Sequence, residues 1–121
     1  MLIEIDLNPR TAIYLQIASG VRSAVVDGRL GPGDRLPPGR ELAHALGVNL
    51  DTVQRAYRLL ADEGLVVGRV GRGTRIVDDV NRDEIDLKRH IADLVTRATA
   101  LGISPRRLAA MIRATPDPAV T

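Results

Sequence analysis

The chain has 121 residues, 45% of them hydrophobic and 26% charged, the balance of one soluble domain with a short appendage. Aromatic residues make up 2%, with Phe and Trp absent. The core must therefore be aliphatic, and base-stacking platforms for single strands or RNA loops are excluded, Tyr14 and Tyr57 being the only candidates. The formal net charge is only +2, so any affinity for nucleic acid has to come from locally clustered arginines rather than a global field.

The lack of cysteine removes disulfides, thiolate zinc sites and a cysteine nucleophile. His44 and His90 are far apart, with no ligand-like spacing around either. Neither a metal site nor a cofactor is expected. No apolar run approaches the roughly 20 residues that span a bilayer. The opening MLIEIDLNPR carries acids and no basic stretch, unlike a signal peptide. A cytoplasmic protein without a membrane partner is the expectation.

In chain order, Leu2, Ile3 and Ile5 alternate with acids and read as a short extended segment ended by Asn8-Pro9. Thr11 is placed to cap a helix running to about Val26, with Ile13, Ile17, Val21 and Val25 four apart on one face. Gly28 suits its left-handed end. Residues 31–39, GPGDRLPPG, form a turn-rich connector, in which Arg35 either braces the turn or meets a phosphate. A short helix from Arg40 to about Leu46 follows, broken by Gly47. The next runs from Asn49 or Leu50 to Glu63, with Asn49 as cap and Val53, Ala56, Tyr57 and Leu60 buried.

Two β-like runs, 65–69 and 74–78, flank a hairpin tip at Val70-Gly71-Arg72-Gly73. This order predicts a mainly α fold with a small β-hairpin: a winged helix-turn-helix. Arg22, Arg29 and Arg58 read as solvated surface residues, and His44 and His90 likewise.

After Asp78 the composition changes, so domains are expected at 1–78 and 79–121. Residues 79–86 are acid-rich, either a linker or a helix start with dipole-favourable acids. Leu87, Ile91, Leu94, Ala98 and Leu101 are then spaced 4, 3, 4, 3. That narrow seam argues for helix–helix pairing. Ile85 and Val95 widen it. Ser104-Pro105 restarts a helix after Gly102, whose Leu108, Met111 and Ile112 close over the ends of the seam. A homodimer through these residues is the expectation, because nothing else in the chain remains to cover the strip.

Several ordered blocks, IYLQIASGVRSAVVDGRLGPGDRLP, RELAHALGV, TVQRAYRLLADEGLV and RVGRGTRIV, together resemble the DNA-binding domain of GntR-type bacterial transcription regulators over about residues 11–77. The tail is too short for the large effector domain common in that family. Its heptad pattern resembles the small YtrA-type branch, in which a short helical piece makes the dimer. The resemblance implies a sequence-specific regulator, a repressor in the common mode, binding double-stranded operator DNA with an inverted repeat as a homodimer. A small-molecule effector is left open.

The resemblance carries DNA contacts to Arg40, Thr52, Gln54 and the wing glycines Gly71 and Gly73. Three positions depart from it. Leu50 stands where an arginine is common, and Asp51 where Ser, Thr or Arg is common. Pro38 replaces the serine that would form a capping box with Glu41, at a cost of about 1 kcal/mol. Asn49, Thr52 and Gln54 retain the chemistry to contact bases or phosphates. Leu50 offers only an apolar contact, such as a thymine methyl. Asp51 must face a cytosine, point away, or pair with Arg55. Arg55, Arg58, Arg69, Arg72 and Arg75 can supply charge for the DNA backbone around the groove.

Competing classes are weaker. An enzyme needs a nucleophile, base or metal in a polar pocket, and no such constellation is found. A helical dimerising interaction module, an anti-regulator deficient in DNA binding, remains the alternative.

Overall fold

The computed structural model describes residues 3–6, 11–69 and 72–119. In chain order the elements are helices α1 (Ile13–Val26), α2 (Gly39–Leu46) and α3 (Leu50–Asp62), strands β1 (Val66–Arg69) and β2 (Gly73–Ile76), and helices α4 (Arg82–Ala100) and α5 (Pro105–Ala114). Three helices followed by an antiparallel hairpin make the expected winged helix-turn-helix. By compactness the chain divides into two units, Met1–Arg89 and His90–Thr121.

In the first unit, α1 buries Ile17, Ala18, Val21, Ala24 and Val25, the i, i+4, i+7 face of an amphipathic helix. Thr11 does not cap it. Ala12 occupies that position without a side-chain bond, and Gln16 organises the start instead. Its Nε2 donates to the carbonyls of Thr11 (2.9 Å) and Asp6 (3.0 Å), while its Oε1 accepts from the Asp6 amide (2.7 Å). This holds the leading segment against α1, where Ile3 is 1% exposed. A Cβ at Gly20 would come within 3.0 Å of the Ile3 side chain, so the absence of a side chain there admits Ile3 to the core. Leu2 and Asn8-Pro9 lie outside the described residues.

The connector after α1 is more than a turn. The Gly33 amide donates to the Ile76 carbonyl (2.9 Å), the Ile76 amide to Asp34 (2.9 Å), and the Leu36 amide to Thr74 (2.8 Å). Residues 33–36 thereby form a third edge beside β2, with a bridge between Arg35 and Arg75. On its other side β2 pairs with β1, Val66 opposite Ile76 and Arg69 opposite Gly73. Four successive turn residues hid this from periodicity, since the pairing is non-local.

Helix α2 begins at Gly39, one residue before the expected Arg40, and has no side-chain cap, consistent with Pro38 in place of a serine. Gly47 adopts φ +69°, the left-handed turn between α2 and α3. Val53, Ala56 and Leu60 of α3 are fully buried and join Leu42, Leu65 and Ile76 in an all-aliphatic core. Each such Val, Leu or Ile contributes about 1.5–3 kcal/mol of burial.

Two polar features were not anticipated. Arg22 is not a surface residue. At 5% exposure, its Nε and Nη2 both donate to the Glu63 carboxylate, bracing α1 against the end of α3. Tyr57 is only half-buried, and its hydroxyl donates to the Pro37 carbonyl at 2.7 Å. Burial, with the Glu41 charge adding to it, holds that hydroxyl well above the usual tyrosine range, so it stays a donor.

The acidic segment after Asp78 is a helix start. The Asn81 side chain accepts from the amides of Asp83 (3.1 Å) and Glu84 (3.2 Å). Ile85, expected to widen the apolar seam, lies instead in the core of the first unit at 5% exposure. Lys88 Nζ donates to the Glu63 carbonyl at 2.9 Å.

In the second unit, the Ile103 amide donates to Ala98 O (2.8 Å), with Gly102 at φ +76°. Ser104 caps α5 by accepting from the Arg107 amide (3.1 Å), and Pro105 stands at its first position.

Candidate nucleic-acid interface

Three local structures assemble one surface in the first unit: the uncapped start of α2, the start of α3, and the hairpin. Arg40, the second residue of α2, is exposed. Helix α3 opens on Asn49, whose Oδ1 accepts from the Asp51 amide at 2.8 Å. That bond satisfies an orphan helix donor and leaves the Asn49 amide group as a donor. Asp51 and Gln54 are exposed, and Thr52 is half-buried. The Asp51 carboxylate sits in the first turn of α3, where the helix dipole favours an anion.

Leu50, expected to offer DNA an apolar contact, is turned partly inward. It is half-buried and packs against the core. A Cβ at Gly39 would approach its Cδ1 to 3.2 Å. Its apolar side chain covers the start of α2, a use that an arginine at this position would not share.

Arg55 does not pair with Asp51. Its guanidinium lies over the Tyr14 ring, 3.9 Å from the centroid, a contact typically worth about 0.5–1 kcal/mol at an exposed site. Tyr14 carries no helix-turn-helix signature, and the partnership links α1 to α3 across a long stretch of chain, so sequence spacing gave no sign of it.

On the hairpin side, Arg35 Nη2 donates to the Arg72 carbonyl at 3.0 Å. Arg35 therefore braces the wing, an element other than its own turn. Arg72 is exposed, and Gly73 has φ +72°. Gly71 and the side chain of Arg69 lie outside the described residues. Between α3 and the hairpin runs an open cleft of about 330 Å³, lined by Gln54, Tyr57, Arg58, Val66, Gly68 and Thr74.

The residues assigned to a dimer stand apart from this surface in the sequence. Leu87, Ile91, Leu94, Leu101, Met111 and Ile112 are exposed, Val95 and Leu108 half-buried, and Ala98 buried. Among the described residues no group of His, Cys, Asp or Glu is arranged to hold a metal ion, and no helix is long and apolar enough to cross a membrane.

Residues 13–76 match the model of the family described as bacterial regulatory proteins, gntR family. The HTH-type transcriptional repressor YtrA of Bacillus subtilis (strain 168) is 32% identical over 112 residues, covering 88% of this chain and 86% of that protein. Among solved structures, YtrA from Sulfolobus acidocaldarius, a GntR-family transcription factor, is 40% identical with a TM-score of 0.62, covering 83% of this chain and 99% of its own. The DNA-binding domain of AraR in complex with operator ORR3 superposes on 64% of this chain, and on 95% of its own, with a TM-score of 0.52 and 25% identity. These relatives are transcription factors or their DNA-binding domains, not enzymes.

Proposed function

Starting from the gntR family of bacterial regulatory proteins, to which the chain belongs, we propose that this transcription regulator is a cytoplasmic repressor that binds an inverted-repeat operator as a homodimer. DNA binding is assigned to residues 1–78 and dimerisation to residues 79–121, with the opening turns of α4 anchored on the first unit. The observation that carries the reading is the exposed start of α3, bearing Asn49 and Gln54, beside a hairpin strutted by Arg35. A helix tip enters a major groove while the wing follows the adjoining backbone.

Within that pose the roles divide by chemistry. Gln54 offers the amide geometry that matches adenine N6 and N7, and Asn49 and Thr52 add donors. Contacts to backbone phosphates are assigned to Arg40, Arg55, Arg69 and Arg72, and close approach of the wing to Gly71 and Gly73, as the family pattern has them. Leu50 shapes the tip from within, and Asp51 is tolerated there by the helix dipole. The exposed apolar residues of α4 and α5 supply the contact between copies, for which an apolar strip of this kind is otherwise a liability. The Bacillus subtilis YtrA is a transcriptional repressor and the AraR DNA-binding domain forms a complex with operator ORR3, which supports the sense of regulation and the ligand. Neither cofactor nor effector enters this reading.

The test is a gel shift with the DNA upstream of the protein's own gene against random duplex, at increasing salt. Preference for the upstream fragment, with affinity falling steeply as salt rises, is the expected result. Failure to bind either duplex would leave a dimerising interaction module in its place.

A further inference from the structure

We propose that Tyr14 is a positioning residue for DNA binding: its ring holds the Arg55 guanidinium away from Asp51 and keeps it available to a backbone phosphate. The inference rests on the DNA-binding reading above and adds to it a residue of α1, outside the helix-turn-helix and the wing.

Tyr14 is half-buried and packed against the core, so its ring is a fixed platform. Arg55 is exposed on the outward face of α3, with its Cζ 3.9 Å from the ring centroid. A guanidinium lying on a ring has one face covered, while its N–H edges stay open, and that edge is what a phosphate engages in bidentate fashion. Holding the side chain in this place also removes rotamer freedom before DNA arrives, which lowers the entropy lost on binding.

The ring has a competitor to exclude. Asp51 lies four residues before Arg55, and an acid N-terminal to a base at that spacing is the favoured helical pair. Asp51 itself is kept at the helix start by the dipole and by a backbone amide bonded to Asn49. Were Arg55 to turn to it, the cation would be neutralised on the face presented to DNA. Asp62, which lines the same groove as Tyr14 and Arg55, is a second carboxylate on that side. The stack with Tyr14 therefore decides whether Arg55 serves the helix or the ligand. Only the ring face is needed, so phenylalanine should serve as well as tyrosine.

The full chain is titrated with random duplex DNA at several salt concentrations, as wild type, Tyr14→Phe, Tyr14→Leu, Arg55→Ala, Asp51→Asn and the relevant pairs. Tyr14→Leu should weaken binding by about two- to five-fold per DNA-binding domain, the size of an exposed cation–π contact, and Tyr14→Phe should not. The salt slope of Tyr14→Leu should fall toward that of Arg55→Ala, near one unit per domain. Tyr14→Leu should add nothing once Arg55 is alanine. Asp51→Asn should restore more affinity to Tyr14→Leu than it adds to wild type.

A Tyr14→Leu loss that persists unchanged in the Arg55→Ala background would mark the ring as merely structural and overturn the proposal. Arg55→Ala is a surface change that spares the core, so it tests the phosphate contact even where Tyr14→Leu folds poorly. An Arg55→Ala protein that binds like wild type would also overturn the proposal. If wild type binds no duplex at all, the DNA-binding reading falls together with this inference. If wild type binds and the couplings are missing, only the inference falls.

Discussion

Within the first unit Ile17, Val21, Val53 and Leu60 have no exposed surface, whereas further along the chain Leu94 is 40% exposed, Ile112 54% and Leu101 76%. Both sets are aliphatic and recur at three- and four-residue intervals. In the first unit each apolar stripe meets another segment of the same chain: α1 against α3, α2 against α3, and the hairpin against α3. Helix α5 buries none of its residues. The comparison separates two uses of one pattern. A stripe that its own chain covers stabilises a fold, and in the proposed dimer the open stripe is the one assigned to another copy.

Leu60→Ala should break the first use outright, costing about 2–5 kcal/mol of unfolding free energy in chemical denaturation. Leu101→Ala, at a highly exposed position, should leave the stability of a single chain within about 0.5 kcal/mol while weakening self-association on dilution. Similar losses of folding stability from both changes would erase the contrast between the regions.

The DNA-facing surface can be divided in the same spirit. Gln54→Ala should cost about 1–3 kcal/mol against the true site and less against random duplex, as read by paired titrations; equal losses on both would remove Gln54 from base reading. Arg40→Ala should weaken all duplexes alike and flatten the salt dependence. The smallest change is expected from Leu50→Arg. It adds a phosphate partner, so random duplex should bind more tightly at low salt, with the gain fading as salt rises. Because Leu50 packs over Gly39, the same substitution should lower stability by about 1 kcal/mol. No gain at low salt would mean that this tip does not approach the backbone.

Local signals made much of the fold legible. Gly28, Gly47 and Gly102 marked left-handed helix ends, Ser104-Pro105 marked a helix start, and the four-residue spacing from Ile13 to Val25 marked the buried face of α1. What stayed hidden depends on residues distant in sequence. An arginine midway along α1 looks solvated until Glu63 is folded beside it, and Arg55 looks ready for Asp51 until Tyr14 arrives from another helix. Leu50 stands where the family commonly has a cation, yet its counterpart in the fold is the missing side chain of Gly39. Ile85, expected to widen the seam, sits outside its 4, 3 spacing and packs in the core of the first unit. The family resemblance assigned the helix tips and the wing to DNA, and the geometry supplied the contacts of Leu50, Arg55 and Arg35 within the first unit.

In the proposed function one region reads DNA and the other joins two copies, so that two readers act on one operator. This division is tested most directly by light scattering and footprinting of wild type and of Ile91→Asp/Leu94→Asp on the upstream DNA. The expected result is a wild-type dimer that protects two half-sites, and a folded monomeric variant with weak protection that no longer spans both. A variant that remains dimeric and leaves the same footprint as wild type would contradict it.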